Sequence, residues 1–328
     1  MEWGRSRAQV GRFEFLEQAT STNDVLREAA TGPEAVDWPH GAVVVTDDQT
    51  AGRGRLGRTW LAPTGKTLAI SVLLRPARRD GRPLDAASLG WLPLIAGLAM
   101  TEAVERAVGR AGLAEPSGLT EPSGLAEPVG LAEPVGLAEP VEAKHPSTGS
   151  GSFPSTGSGS TASTVEDDGP GLVEVELKWP NDVLISGYKV CGILTELLPG
   201  GDAVVVGAGL NLTLDEHDLP TLTSTSLLLA TGRRPDADAV LADYLGTLLA
   251  AVDEFLAADG DATASGLADR IAQRCGTIGA DVRVELPGGG ELLGTAERLD
   301  RDGRLVVRDR ESGEPQAVGA GDVTHLRY

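Results

Sequence analysis

The chain has 328 residues, enough for two domains and a sizeable core. Its formal net charge of −20 leaves no room for a large basic face, which excludes duplex nucleic acid as a first expectation for a partner. The two cysteines, Cys191 and Cys275, stand in unrelated contexts, so neither a disulfide framework nor a zinc site can be built from them and a reducing compartment fits.

The N-terminus, "MEWGRSRAQVGRFEF", holds no apolar run of signal-peptide length, and no stretch of about 18 uninterrupted apolar residues follows. A soluble, cytoplasmic chain with no membrane partner is expected. "STNDVLREAA" (21–30) predicts a capped helix, with Val25, Leu26 and Ala29 on one face. "GAVVVTDDQ" (41–49) predicts a buried strand, and "KTLAISVLLRP" (66–76) a second one stopped by Pro76. A long apolar helix is expected over 88–109. Strands are expected over 172–180, 189–198 and 202–214, then an amphipathic helix over 236–258.

Between these lies a segment of another kind. Residues 112–141 are five copies of a hexad of the type "GLAEPV", and 145–160 hold two copies of the octad ending "PSTGSGS". A six-residue period is also that of β-helix coils. Each hexad, however, carries a proline and a glutamate, and stacking would bury little. Residues 111–170 are therefore expected to form a disordered insertion. After Gly279 short alternating strands with Gly/Asp turns predict a small all-β barrel of about 50 residues. The expected division is 1–275, interrupted by the insertion, and 279–328.

The stretch "AGRGRLGRTW" (51–60) fits G-x-G-x-x-G at Gly52, Gly54 and Gly57. A dinucleotide fingerprint must open into a helix, and here Trp60, Pro63, Gly65 and another strand follow. A P-loop ending at Thr67 requires glycine at position 60, which is Trp60. What remains is a glycine-rich loop between strands that carries Arg53, Arg55 and Arg58. Such a loop can close tightly on a ligand and present forked donors to phosphate or carboxylate.

Together, "STND" (21–24), "QTAGRGRLGRTW" (49–60), "KWPND" (178–182), "YKVCGIL" (188–194) and "GAGLNL" (207–212) resemble the biotin protein ligase family. The resemblance runs from about residue 13 to the C-terminus, outside the insertion. It implies an α+β fold. A mixed sheet with helices, of the class II aminoacyl-tRNA synthetase and biotin ligase type, would be followed by a small SH3-like β-barrel. It also implies an activity: biotin and MgATP form biotinyl-AMP, and biotin then passes to one lysine of a carboxyl-carrier protein of an acyl-CoA carboxylase. Chemistry agrees with the arginines. A carboxylate attacking a phosphate at about 4 Å is repelled by about 4 kcal/mol at an effective dielectric near 20. Fixed cations offset that repulsion.

By this resemblance Ser21, Thr22, Asn23 and Gln49 bind the ureido end of biotin. Arg53, Gly54 and Arg55 touch its carboxylate and the AMP phosphate, with Lys189, and Gly192 lets backbone approach. Arg55, Arg58, Trp60, Lys178, Asn181 and Asn211 form the nucleotide side, where Trp60 is expected to pack rather than react. Arg53, Arg55 and Lys189 are the expected catalytic cations. Pro180 and Asn181 make a turn, and Asp182 helps deprotonate the acceptor lysine. Cys191 stands where a smaller residue is expected and reads as a core thiol. Only about 20 residues precede "STND", too few for the DNA-binding domain of repressor-type members, so no DNA partner is expected. Two alternatives stay open: a lipoate or octanoate ligase of the same superfamily, and a non-catalytic biotin-binding regulator.

Overall fold

A computed structural model describes residues 2–60, 63–113 and 173–326. In chain order it forms α1 (Gly4–Arg7), β1 (Phe13–Leu16), α2 (Thr22–Thr31), β2 (Ala42–Thr46), β3 (Gly52–Arg53), β4 (Thr59–Trp60) and β5 (Thr67–Leu74). Then come α3 (Ala86–Leu89), α4 (Leu92–Leu113), β6 (Val175–Lys178), β7 (Asp182–Ile185), β8 (Tyr188–Leu197) and β9 (Val204–Asn211). The remainder is α5 (Leu227–Thr231), α6 (Ala237–Ala257), α7 (Leu267–Arg274), β10 (Asp281–Glu285), β11 (Glu291–Leu299), β12 (Leu305–Asp309), β13 (Pro315–Val318) and β14 (Asp322–His325).

The main sheet runs β1-β2-β5-β9-β8-β7-β6. Only β1 and β2 pair in parallel; the other neighbours are antiparallel. The central strands β2 and β5 are buried along their whole length because both faces are covered. In β2, Val43 and Val45 join the large core under α4 and α6, while Ala42 and Val44 join a second cluster with Leu26 and Ala30 of α2. Period-two alternation thus sends one strand into two cores.

The long helix expected over 88–109 forms as α4, preceded by the short α3. It is apolar and long enough to cross a membrane, but 67% of its most apolar window is buried inside the protein, as in a core helix. It continues through residues 111–113, which the sequence assigned to the insertion. Nothing there breaks the backbone ladder, since the first proline is Pro116 and one glycine in a last turn is tolerated. The rest of the expected insertion lies outside the described residues.

The C-terminal strands form one antiparallel sheet, β13-β12-β11-β10-β14, as the barrel expectation required. Its inward side chains, Val282, Val284, Leu292, Ala296, Leu305 and Val307 among them, belong to the same continuous core as α4 and β8. Polar seams join the two sheets. The indole of Trp91 donates to Arg301 O at 2.9 Å and that of Trp179 to Gly303 O at 3.1 Å. Buried Thr277 accepts from Trp179 N at 3.0 Å and meets His325 Nε2 at 3.0 Å.

Candidate active site

Three strands of the main sheet lose their large side chains on one face only. On the helix-covered face β9 presents Val204, Val206, Ala208 and Leu210 to the core. The opposite face of the same strand reads Val205, Gly207, Gly209, Asn211. Strand β5 does likewise: Leu68, Ile70, Val72 and Leu74 are core, while Ala69 and Ser71 face the other way. In register, Gly192, Gly209 and Ala69 form one row across β8, β9 and β5; Leu194, Gly207 and Ser71 form the next. The result is a floor almost without side chains, and a cavity of about 350 Å³ stands on it.

A β-bulge then puts a cation onto this floor. The pairing of β7 with β8 shifts between Val183/Leu184, opposite Cys191/Lys189. Consecutive Val190 and Cys191 consequently both enter the core. Regular alternation would have sent Lys189 to the core face with Cys191; the extra residue sends it to the cavity instead. A Cβ on Gly192 would lie 2.9 Å from Lys189 Nζ, so a side chain there would displace the ammonium from its present place. Lys189 Nζ pairs with Asp182 Oδ1 at 2.7 Å, an ionic contact in which that oxygen accepts no well-aligned hydrogen bond.

The N-terminal end of α2 forms one wall. Ser21 caps the helix by accepting from Asp24 N. Buried Thr22 donates its N–H to Gln49 Oε1 at 2.9 Å. Asn23 lies over Gly207, whose Cβ would sit 2.9 Å from Asn23 Cγ. Ser71 Oγ bridges Thr22 Oγ1 at 2.8 Å and Asn23 Oδ1 at 2.6 Å. All these groups are neutral.

The glycine-rich loop forms the roof. As the sequence required, no helix follows it; Gly52 pairs with Trp60 and Arg53 with Thr59 in a two-strand ribbon. Trp60 folds back over Gly209, where a Cβ would lie 2.6 Å from the indole. The arginines part company. Arg53 Nη2 reaches Asp24 Oδ1 at 2.5 Å and Glu196 Oε1 at 3.1 Å, beside the neutral wall. Arg55 Nη1 donates to Asn181 Oδ1 at 2.9 Å, and Arg58 pairs with Asp322 of β14.

Arg55, Arg58, Lys178 and Lys189 thus surround the other end of the cavity, opposed by Asp182 and Asp322. Burial, assisted by Arg58, lowers the pKa of Arg55 against the pull of Asp322 and Asp182. Burial and then Lys189 lower that of Lys178, again against Asp182 and Asp322. The turn expected in "KWPND" forms, with Asn181 N donating to Lys178 O at 3.1 Å. Asn181 Nδ2 donates to Ile193 O, which fixes its carbonyl toward Arg55. Asn211 Nδ2 donates to Thr225 O at 2.8 Å, while its buried Oδ1 has no hydrogen-bond partner among the described residues. Cys191 is buried below the floor, and burial pushes its pKa up to about 12.

Every residue given a binding or catalytic role from the sequence lines this one cavity: Ser21, Thr22, Asn23, Gln49, Arg53, Gly54, Arg55, Arg58, Trp60, Lys178, Asn181, Asp182, Lys189, Gly192 and Asn211. Sequence reasoning missed Gly207, Gly209 and Asp322, which also line it, and buried Ser71, which holds Thr22 and Asn23 from below. Glu196, which holds Arg53 and Asn23, was missed too.

Comparison with known proteins agrees with this architecture. Residues 15–212 match the Biotin/lipoate A/B protein ligase family, and residues 277–326 match the Biotin protein ligase C terminal domain. The chain belongs to that family, and its C-terminal match sets it among the biotin protein ligases. It is 31% identical over 317 residues to the biotin–[acetyl-CoA-carboxylase] ligase of Mycobacterium tuberculosis, covering 96% of this chain and 90% of that one. It is 26% identical to the bifunctional ligase/repressor BirA of Bacillus subtilis, over 69% of this chain but only 49% of that protein. Among solved structures, the biotin protein ligase of Aquifex aeolicus in complex with biotin and ATP shares the fold. Its TM-score is 0.63 at 23% identity, with 97% of this chain and 100% of that one covered.

Proposed function

We propose that this ligase joins biotin to AMP and then transfers biotin to a lysine of a carboxyl-carrier domain of an acyl-CoA carboxylase. The observation that carries the reading is the division of the cavity. Neutral donors and acceptors stand at one end and desolvated cations at the other, across a glycine floor. Biotin has that polarity: a neutral urea at one end and a carboxylate at the other.

In the first step a carboxylate oxygen attacks the α-phosphorus of ATP, and the bond to the departing pyrophosphate breaks. Arg55, Lys178 and Lys189 offset the charge that gathers there, in a site where desolvation strengthens each contact. Arg58 faces the same end. Magnesium, accompanying the nucleotide, would supply further positive charge at the phosphates, at the end where Asp182 and Asp322 are the available carboxylates. The unpartnered Oδ1 of Asn211 suits a donor such as an exocyclic amine of the base. Arg53, engaged by Asp24 and Glu196, contributes by closing the loop over the biotin end; it reaches a carboxylate or phosphate only by leaving those acids. Closure also keeps water from the mixed anhydride.

In the second step the acceptor amine attacks the acyl carbon and AMP leaves. Once Lys189 turns to the bound anion, Asp182 is free to accept the amine proton. The test is ATP–pyrophosphate exchange with biotin, lipoate or octanoate, followed by label transfer to a carrier domain. Biotin should support exchange and transfer. Exchange with lipoate at an equal or greater rate would displace this reading in favour of the lipoate branch, and biotin binding without exchange would favour a regulator.

A further inference from the structure

We propose that Glu196 is a positioning residue that fixes the sense of the Asn23 amide, and so sets which hydrogen-bonding groups the neutral end of the cavity offers. The inference rests on the biotin ligase reading above.

Glu196 lies on β8, on the face that carries Gly192 and Leu194. Its Oε2 accepts from Asn23 Nδ2 at 2.9 Å, and Arg53 Nη2 lies 3.1 Å from its Oε1. An amide side chain is nearly symmetrical in shape, so its orientation is chosen by its partners. A carboxylate at neutral pH is an acceptor only, so it can face the amide nitrogen and never the amide oxygen. Leu194 O, 3.4 Å from the same nitrogen, enforces the same choice. Asn23 Oδ1 is thereby turned to Ser71 and lies directly over Gly207, on the lining of the cavity.

The choice propagates. Ser71 has one hydroxyl proton, and Asn23 Oδ1 takes it at 2.6 Å. Ser71 Oγ then accepts from Thr22 Oγ1 at 2.8 Å, the shorter of two options, since Gln49 Oε1 is 3.2 Å away. One acidic group outside the cavity lining therefore orders Asn23, Ser71 and Thr22 in a single direction. The oxygen of Asn23 keeps a lone pair for a urea N–H, and the nitrogen is spent on Glu196. A flipped amide would present a donor there and leave the N–H of a urea without an acceptor. A dithiolane or an alkyl chain has no such N–H, so the ordered acceptor also discriminates by substrate class.

The test is a double-mutant cycle read in biotin-dependent ATP–pyrophosphate exchange. Glu196→Gln keeps size but can offer either amide atom to Asn23. Its KM for biotin should rise about tenfold, the scale of one misdirected buried hydrogen bond, with the KM for ATP within about twofold. Combined with Asn23→Ala it should add little to Asn23→Ala alone, because both act through one amide. Full additivity with Asn23→Ala, a KM for biotin within about twofold of wild type, or equal effects on biotin and ATP would each overturn the proposal. If Glu196→Gln does not fold, Ser71→Ala probes the amide from its other side; it should likewise raise the KM for biotin selectively, and an unchanged KM would count against the relay. A wild-type protein with no biotin-dependent exchange would refute the ligase reading itself, which is a distinct outcome.

Discussion

Gly209→Ala adds one methyl group under the roof of the cavity. Its Cβ would lie 2.6 Å from Trp60 Cζ2 and 2.7 Å from Cε2, where carbon atoms rest comfortably at about 3.5–4.0 Å. One side has to give by about 1 Å. The floor is the stiffer side, because Gly209 is paired with Gly192 on one strand and Ala69 on the other. Trp60 is held by one short ribbon and is only half-buried, so the ring lifts and carries the loop with it. Overpacking of this kind costs about 1–3 kcal/mol. Charged to loop closure rather than to folding, that corresponds to a loss of about 5- to 150-fold in the exchange reaction. The assay is biotin-dependent ATP–pyrophosphate exchange beside a thermal melt. Exchange within about twofold of wild type would show that the seat of Trp60 is not needed. A melting temperature that falls by several degrees would place the strain in the sheet and refute the reasoning about which side yields.

Arg55→Ala should slow biotinyl-AMP formation by more than about tenfold in a folded protein, since a half-buried guanidinium hydrogen-bonded to Asn181 is lost; pyrophosphate release checks it. Lys189→Gln should damage adenylation far more than transfer, so supplied biotinyl-AMP should still label a carrier domain appreciably. Lys178→Met should stabilise the fold while costing activity, because burial and Lys189 oppose the lysine's charge. The sign with pH follows from a lowered folded pKa: between that value and 10.5 the unfolded chain binds the extra proton, so wild-type stability rises with pH and the gap to Lys178→Met narrows. Cys191, with its thiol pushed up to about 12, should resist alkylation at pH 8 in the native state and react on unfolding, as mass spectrometry would show.

The cavity was legible because most of its lining sits in short motifs with unusual local composition. Arginines alternating with glycine, or a lysine-tryptophan-proline-asparagine-aspartate run, stand out in any chain. What escaped has weak local signal. Ser71 is a single polar residue inside the apolar run of β5, and that isolation was the available hint. Gly207 and Gly209 recur at period two, which marks one face of a strand for close approach, although the sequence reading drew only Asn211 from "GAGLNL". Asp322 has no local signal, since its partner Arg58 is 264 residues away. The bulge that turns Lys189 into the cavity cannot be read from alternation, because alternation sends Lys189 the wrong way. Strands β1 and β7, four residues each, are too short for periodicity to register, and α7 is legible only as an amphipathic octad.

The seam between the sheets has a consequence for how the molecule comes into being on the ribosome. Trp179, inside the motif that carries Lys178, Asn181 and Asp182, donates its hydrogen bonds to Thr277 and Gly303. Arg58 takes its carboxylate from Asp322 in the final strand. The motif emerges long before those partners are translated. A nascent or prematurely terminated chain therefore holds the reactive residues without the frame that aims them. Under the proposed function, the frame for adenylate chemistry is complete only once β14 has been made.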